Sequence, residues 1–203
     1  SDIEPLISEL MTTYRDSRVS VSLPSLRVGT LTPAMIEAIA GTRKTGFTLA
    51  PEAGTERLRR VINKPVSDLD LMDAAETIFA SGWSTIKLYF MIGLPTETDE
   101  DLDGIIRLAN ELFARGERAS KRSIQLNISI STFVPKPHTP FQWMGQAPLD
   151  EIRRKQAYLG RGLRKRGVTL KAHDPETSLL EAAFARGDAS LGRVLEKAVD
   201  LGC

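Results

Sequence analysis

Three short stretches place chemically able residues where a strand should stop. Glu52 closes FTLAPE, Met91 to Gly93 closes TIKLYFMIG, and Thr132 to Pro135 closes the apolar run that begins at Ile124. In a parallel sheet the C-terminal ends of the strands gather along one edge, so these three stretches are expected to face one cleft. A carboxylate there can accept hydrogen bonds from sugar hydroxyls. Glu52 can equally serve as an anchor for the helix start that follows it, and both readings stay open. Lys87 shares a strand face with Tyr89 and Met91, while Ile86, Leu88, Phe90 and Ile92 form the opposite, apolar face. Facing a barrel interior, Lys87 needs an anion or a polar substrate, because an unpaired buried charge is costly. Facing solvent, it is a surface lysine whose stem lies along the sheet. With a carbonyl substrate it could act as a Schiff-base nucleophile.

Other reactive residues carry less. His138 and His173 stand in different regions, and neither has a partner at metal-ligand spacing. Cys203 is the only cysteine, too few for an intrachain disulfide or a thiolate cluster. No metal site is therefore assigned. Arg153, Arg154 and Lys155, with Arg161, Arg164, Lys165 and Arg166, make a basic helix over 149–166. It could touch RNA phosphate, but without interleaved aromatics it reads first as a solvated face. Arg186-Gly187-Asp188, at a helix break, reads as a turn with a cap, or as a break that points a polar group at a site.

The elements that must position these residues follow from periodicity. The central stretch is Thr85 to Asp101, TIKLYFMIGLPTETDED. Alternation predicts a strand, Gly93-Leu94-Pro95 breaks it, and Thr98 with Asp101 forms a capping-box pattern for the next helix. That helix carries Leu102, Ile105, Ile106, Ala109, Leu112 and Phe113, and 116–123 reads as a charged loop. Upstream are a helix over 3–15, a strand over Arg18–Leu23, and a helix capped by Thr32 and Pro33 that stops at Gly41. Next come the strand Phe47–Glu52, a short helix opened by Gly54 and Thr55, and a helix headed by Ser67 and Asp70. Downstream, Ile124–Phe133 is a strand, Pro135, Pro137 and Pro140 keep their stretch irregular, and Val168–Ala172 is a last strand. Two helices split at Gly187-Asp188 fill 176–200.

Alternating strands and helices imply an α/β fold with a parallel sheet and crossover helices. The chain has 203 residues, short of the roughly 250 that a closed eight-stranded barrel takes, so an open sheet or a partial barrel is expected. The formal net charge is +1, which gives no electrostatic case for nucleic acid or membrane as the main partner. No apolar run approaches the roughly 20 residues of a membrane span. The acidic start SDIEPLISELM is unlike a secretory leader, so a reducing, cytoplasmic compartment is expected.

Four segments together resemble the radical S-adenosylmethionine superfamily. They are PSLRV at Pro24–Val28, APEAGTERLRRVINK at Ala50–Lys64, KLYFMIGLPTETDED at Lys87–Asp101 and TFVPKPHTPFQW at Thr132–Trp143. The resemblance is nearest to the methylthiotransferase and Elongator-like branch, and to a bacterial group of iron-sulfur oxidoreductases with a cobalamin-binding-like region. It implies a six-stranded partial (β/α) barrel, TIM-barrel-like, of which 1–167 supplies the third to sixth strands and 168–203 an extension. It also implies S-adenosylmethionine and a four-iron four-sulfur cluster as cofactors of the parent protein. The family's CxxxCxxC loop, whose thiolates hold the cluster, and its glycine-rich methionine-binding segment are not in this sequence. The resemblance thus implies a C-terminal half of the radical domain that binds no cofactor by itself, with the upstream half of the same polypeptide as partner.

Matched residue by residue, the resemblance implies cofactor contacts for five positions. Glu52 stands where relatives place a glutamine or acid on the cofactor, and Lys64 where they place a base near its carboxylate. Tyr89 and Met91 stand beside the ribose and adenine, and Thr132 at a backbone contact to adenine. Tyr89 replaces an acid found in some relatives, and Ser22 and Ser25 lie where others have a glutamate. In the family, reductive cleavage of the sulfonium yields a 5′-deoxyadenosyl radical. The substrate, small molecule or RNA, is not specified. A half barrel leaves the Arg18–Leu23 edge unpaired, so a homodimer through that edge is expected.

Overall fold

The computed structural model of the protein describes residues 3–14 and 46–202. The strand expected at Arg18–Leu23, the helix expected from Thr32 to Gly41, and Ser22, Ser25 and Cys203 lie outside the described residues.

Four parallel strands form one sheet in the order β1 (Phe47–Glu52), β2 (Thr85–Ile92), β3 (Gln125–Thr132) and β4 (Val168–Ala172). Each joins the next through helices: α2 (Glu56–Val61) and α3 (Asp68–Ala80), then α4 (Asp99–Ala119), then α5 (Leu149–Gly162). Before them lies α1 (Ile3–Thr13), and after β4 come α6 (Pro175–Arg186), a 3-10 turn at Ala189–Leu191 and α7 (Gly192–Asp200). The expected α/β class with crossover helices is the observed one. β4 pairs with β3 in the same sheet, Leu126 to Val168 through Ile130 to Ala172, so the sheet runs on across residue 167.

The alternation read from β2 divides the sheet into two unlike faces. Leu49, Ile86, Leu88, Phe90, Leu126, Ile128 and Ile130 are buried and form one core with Leu71, Ile78 and Phe79 of α3, Ile105, Leu108 and Leu112 of α4, and Ile152 and Leu159 of α5. Burying each such side chain contributes about 1.5–3 kcal/mol relative to exposure. Ile7 of α1 joins this core, whereas Leu6 is half exposed. The other face is polar and open: Lys87 and Tyr89 are exposed, and Thr48, Asn127, Ser129 and Ser131 are half-buried.

Two helix boundaries differ from expectation. α4 runs through Ala119, into the stretch expected to be a charged loop. Gly116 accounts for it, because a Cβ there would sit 2.6 Å from both Ile124 and Phe79 side chains, so a glycine lets the last turn press onto the core. α5 stops at Gly162 rather than 166, and Leu163 caps it before Gly167 turns the chain at φ +84° into β4.

Candidate functional site

The loops beyond the C-terminal ends of β1, β2 and β3 converge. Ala53 and Leu58 after β1, Leu94 after β2 and Phe133 after β3 are buried together, with Ile62, Met91 and Phe141 packed at their margin. Phe133 and Phe141 meet edge to face, ring centroids 5.9 Å apart. The three strand ends expected to share a cleft are thus brought together over one small apolar cluster. Backbone strain gathers there too. Glu52 (φ 69°), Thr96 (φ 65°) and His138 (φ 61°) occupy the left-handed region, one at or after the end of each of β1, β2 and β3. Such a conformation costs a non-glycine residue about 1–3 kcal/mol and persists only where its surroundings enforce it.

Glu52 ends β1 behind a bulge, in register with Phe90, next to Met91. It does not anchor the following helix start. Its carboxylate receives a hydrogen bond from the Lys64 ammonium at 2.6 Å, and both side chains are about a quarter exposed. Asn63, itself left-handed at φ 55°, closes α2 and returns the chain so that Lys64 reaches Glu52. Met91 lies on the open face beside Tyr89, which is 43% exposed. Thr132 sits on the helix-covered face, and its buried hydroxyl has no hydrogen-bond partner. Its side chain is therefore turned away from the open face that Met91 shares.

Several positioning residues escape a reading by motif. Thr55 caps α2, accepting from the Leu58 N–H. Gly54 lies so close to α4 that a Cβ would sit 2.0 Å from the Asp101 carbonyl oxygen, and a Cβ on Gly104 would sit 2.5 Å from the Gly54 carbonyl oxygen. Asp101, 1% exposed, accepts from Thr55, from Arg57 and from the Thr98 N–H, completing the expected capping box. Burial opposes ionisation of Asp101, but the hydrogen bonds from Thr55, Thr98 and Arg57 outweigh it and hold the carboxyl below its usual range. The Arg59 guanidinium is fully buried, donating to Val66 O at 2.7 Å, to Ala53 O at 3.0 Å and to Asp68.

The turn Gly93-Leu94-Pro95 is fixed by a buried ion pair. Glu97 Oε1 accepts from the Gly93 N–H at 2.9 Å and from Lys155 Nζ at 2.6 Å, and the side chains are 2% and 4% exposed. Lys155 also pairs with Glu151 at 3.0 Å. Burial alone would lower the Lys155 ammonium, but its bonds to Glu97 and Glu151 outweigh that and raise it above its ordinary value. The expected solvated basic face holds for Arg153, paired with Glu176, and Arg154, paired with Asp99 at 2.9 Å, both half exposed, whereas Lys155 departs from it by pointing inward. Lys87 is exposed on the open face of the sheet. His138 and His173 are exposed, and among the described residues no group of three or more His, Cys, Asp or Glu could hold a metal ion. Arg186-Gly187-Asp188 is a turn with a cap, as read: Gly187 ends α6, and Asp188 accepts from the Ser190 N–H. No helix among the described residues is long and apolar enough to cross a membrane.

Strained loops, a charged pair and an apolar shelf thus gather at the C-terminal tips of the parallel strands, the edge at which α/β folds of barrel type place their ligands. Residues 1–109 match the Radical SAM superfamily, and the chain belongs to that family. Membership implies S-adenosylmethionine and a four-iron four-sulfur cluster as cofactors. The chain is 33% identical over 190 residues to the uncharacterized protein MJ0966 of Methanocaldococcus jannaschii, covering 94% of this chain and 40% of that protein. Its fold is similar to the crystal structure of SuiB from Streptococcus suis, with TM-score 0.57 at 12% identity over 86% of this chain and 38% of SuiB. SuiB bound to S-adenosylmethionine gives TM-score 0.55 at 11% identity, over 86% of this chain and 36% of that one. The chain thus spans about two fifths of the length of these proteins.

The two implied cofactors fare differently against the residues present. The described residues supply no ligand set for the iron-sulfur cluster. They do suit S-adenosylmethionine: the Glu52–Lys64 pair offers one charge of each sign, as an amino-acid zwitterion requires, beside the apolar shelf of Met91, Leu94 and Phe133.

Proposed function

We propose that this chain is the C-terminal half of a radical S-adenosylmethionine domain, of the methylthiotransferase and Elongator-like branch. It forms the cofactor and substrate cleft of a longer iron-sulfur enzyme. The observation that carries this reading is the Glu52–Lys64 pair, about a quarter exposed and held at the strand tips by a left-handed Glu52 beside an apolar shelf. Glu52 receives the cofactor's ammonium and Lys64 its carboxylate, each exchanging its present partner for a ligand charge. Met91 and Tyr89 lie beside the ribose and adenine, and the Thr132 backbone meets the adenine edge. The cluster thiolates come from the upstream half of the same polypeptide, so this chain alone is inactive. The chemistry belongs to the cofactors; this chain's share is to bind, orient and shield.

The test is calorimetric titration of S-adenosylmethionine into the whole protein. Glu52→Gln and Lys64→Met should each weaken binding about tenfold or more, the cost of a lost charged hydrogen bond. Unchanged affinity in both variants would remove these two residues from the site.

A further inference from the structure

The tips of the strands are spoken for by the reading above, but the sheet's open face below them is not. Two rows of side chains cross it in register. One runs Thr48, Lys87, Asn127, Thr169 and the next Tyr89, Ser129, Lys171. Helices cover the opposite face, so this is the face that a partial barrel of this fold turns inward. Barrel interiors are ordinarily filled by branched aliphatic side chains that pack in layers. These two rows hold hydroxyls, an amide, a phenol and two ammonium groups, which cannot form such a core. Among the described residues neither Lys87 nor Lys171 has an acidic partner, and both are exposed. The rows contain no carboxylate. The contrast with the rest of the site is sharp, since Lys64, Arg57, Arg59 and Lys155 are each matched to an acid. Lys87 Cε also lies near Gly46, 3.6 Å from where a Cβ would be, which sets this ammonium at the foot of β1, away from Glu52 at its tip.

We propose that this open face is the substrate lumen and that it selects a small polyanionic substrate, bearing phosphate or several carboxylates. Lys87 and Lys171 supply the two positive contacts, and Tyr89, Asn127 and Ser129 supply neutral hydrogen bonds between them. Two exposed ammonium groups on one face, with no carboxylate in their rows, leave a positive patch that an anion pairs with through charge-assisted hydrogen bonds. The proposal rests on the partial-barrel reading and adds to it the charge of the substrate.

The test needs neither cluster nor cofactor. Pyrophosphate and citrate are titrated separately into the isotope-labelled chain at low ionic strength, with amide shifts read by NMR. Saturable binding is expected with an apparent Kd near about 1 mM or tighter, with shifts centred on Lys87, Tyr89, Ser129 and Lys171. Tighter pyrophosphate identifies a phosphate-bearing substrate, and tighter citrate a polycarboxylate. The double variant Lys87→Gln, Lys171→Gln should weaken binding about tenfold. The surface double variant Lys121→Gln, Arg122→Gln, with the same change in net charge, should not. Equal affinity in both double variants, shifts centred on the 161–166 surface, or no saturable binding of either anion would overturn the proposal. None of these results bears on whether the whole protein cleaves S-adenosylmethionine, so the two readings fail separately. Both substitutions are at exposed positions, and an unchanged thermal transition in each double variant confirms that the fold is intact.

Discussion

Asp101 sits in the first turn of α4 yet accepts four hydrogen bonds from three neighbours: Thr98, through both its N–H and its hydroxyl, together with Thr55 and Arg57. One carboxylate thereby fastens the loop after β1 to the helix after β2. Asp101→Asn keeps the shape but loses the charge, and is expected to cost about 2 kcal/mol in chemical denaturation. The pH dependence has a definite sign. Asp101 is held below its usual range, as is Asp68, where burial is outweighed by bonds from Arg107 and Arg59. A carboxyl depressed in the folded state contributes stability that is present above its unfolded value, about 3.9. That stability is lost as the pH falls through the lower, folded value. Stability should therefore fall from about pH 4 downward, and Asp101→Asn should flatten that fall; an unchanged acid limb would refute the assignment. Some of this was legible in sequence. Thr98 and Asp101, three apart before an apolar run, announce a capping box. The bonds from Thr55 and Arg57 are not legible, because they span 46 and 44 residues.

At the level of elements, the turn after β2 depends on α5, which comes far later in the chain. Glu97 and Lys155 are 58 residues apart, and nothing in the local pattern of either pairs them. Read by periodicity, Lys155 belongs to a basic surface run; only the packing of α5 on α4 turns it inward. Lys155→Met should cost about 3–5 kcal/mol, because it strands a buried carboxylate. Adding Glu97→Gln should recover much of that loss, since a neutral amide can still accept from the Gly93 N–H. If the double variant is no more stable than the single one, the pair is not the reason for the loss. Glycines give a parallel case. Gly54→Ala drives a Cβ into the backbone of α4, whereas nothing lies within 4 Å of a Cβ on Gly145. Thermal denaturation should show a loss of several kcal/mol for Gly54→Ala and a change within about 0.5 kcal/mol for Gly145→Ala. The strands themselves were plain in the sequence, since a buried face against helices enforces strict alternation. The ends of α4 and α5 were not, because Gly116 acts by letting Phe79 and Ile124 approach, a contact between distant residues.

For the whole molecule, the two sheet faces divide the labour. One buries the apolar core under helices, and the other presents polar side chains beneath a rim of strained, charge-paired loops. The class of fold and the sharing of one edge by Glu52, Met91 and Thr132 followed from the order of strands and helices alone. The pairing of Glu52 with Lys64 did not, because it needs the left-handed turn at Asn63. On the proposed function this chain is one half of a catalytic domain, completed upstream by the cluster-binding half. The decisive measurement is 5′-deoxyadenosine formed from S-adenosylmethionine under a strong reductant, without oxygen and after iron and sulfide reconstitution, for the whole protein and for this chain side by side. The account predicts 5′-deoxyadenosine and cluster iron from the whole protein and neither from this chain. Product from this chain alone, or none from a whole protein that carries its cluster, would contradict it.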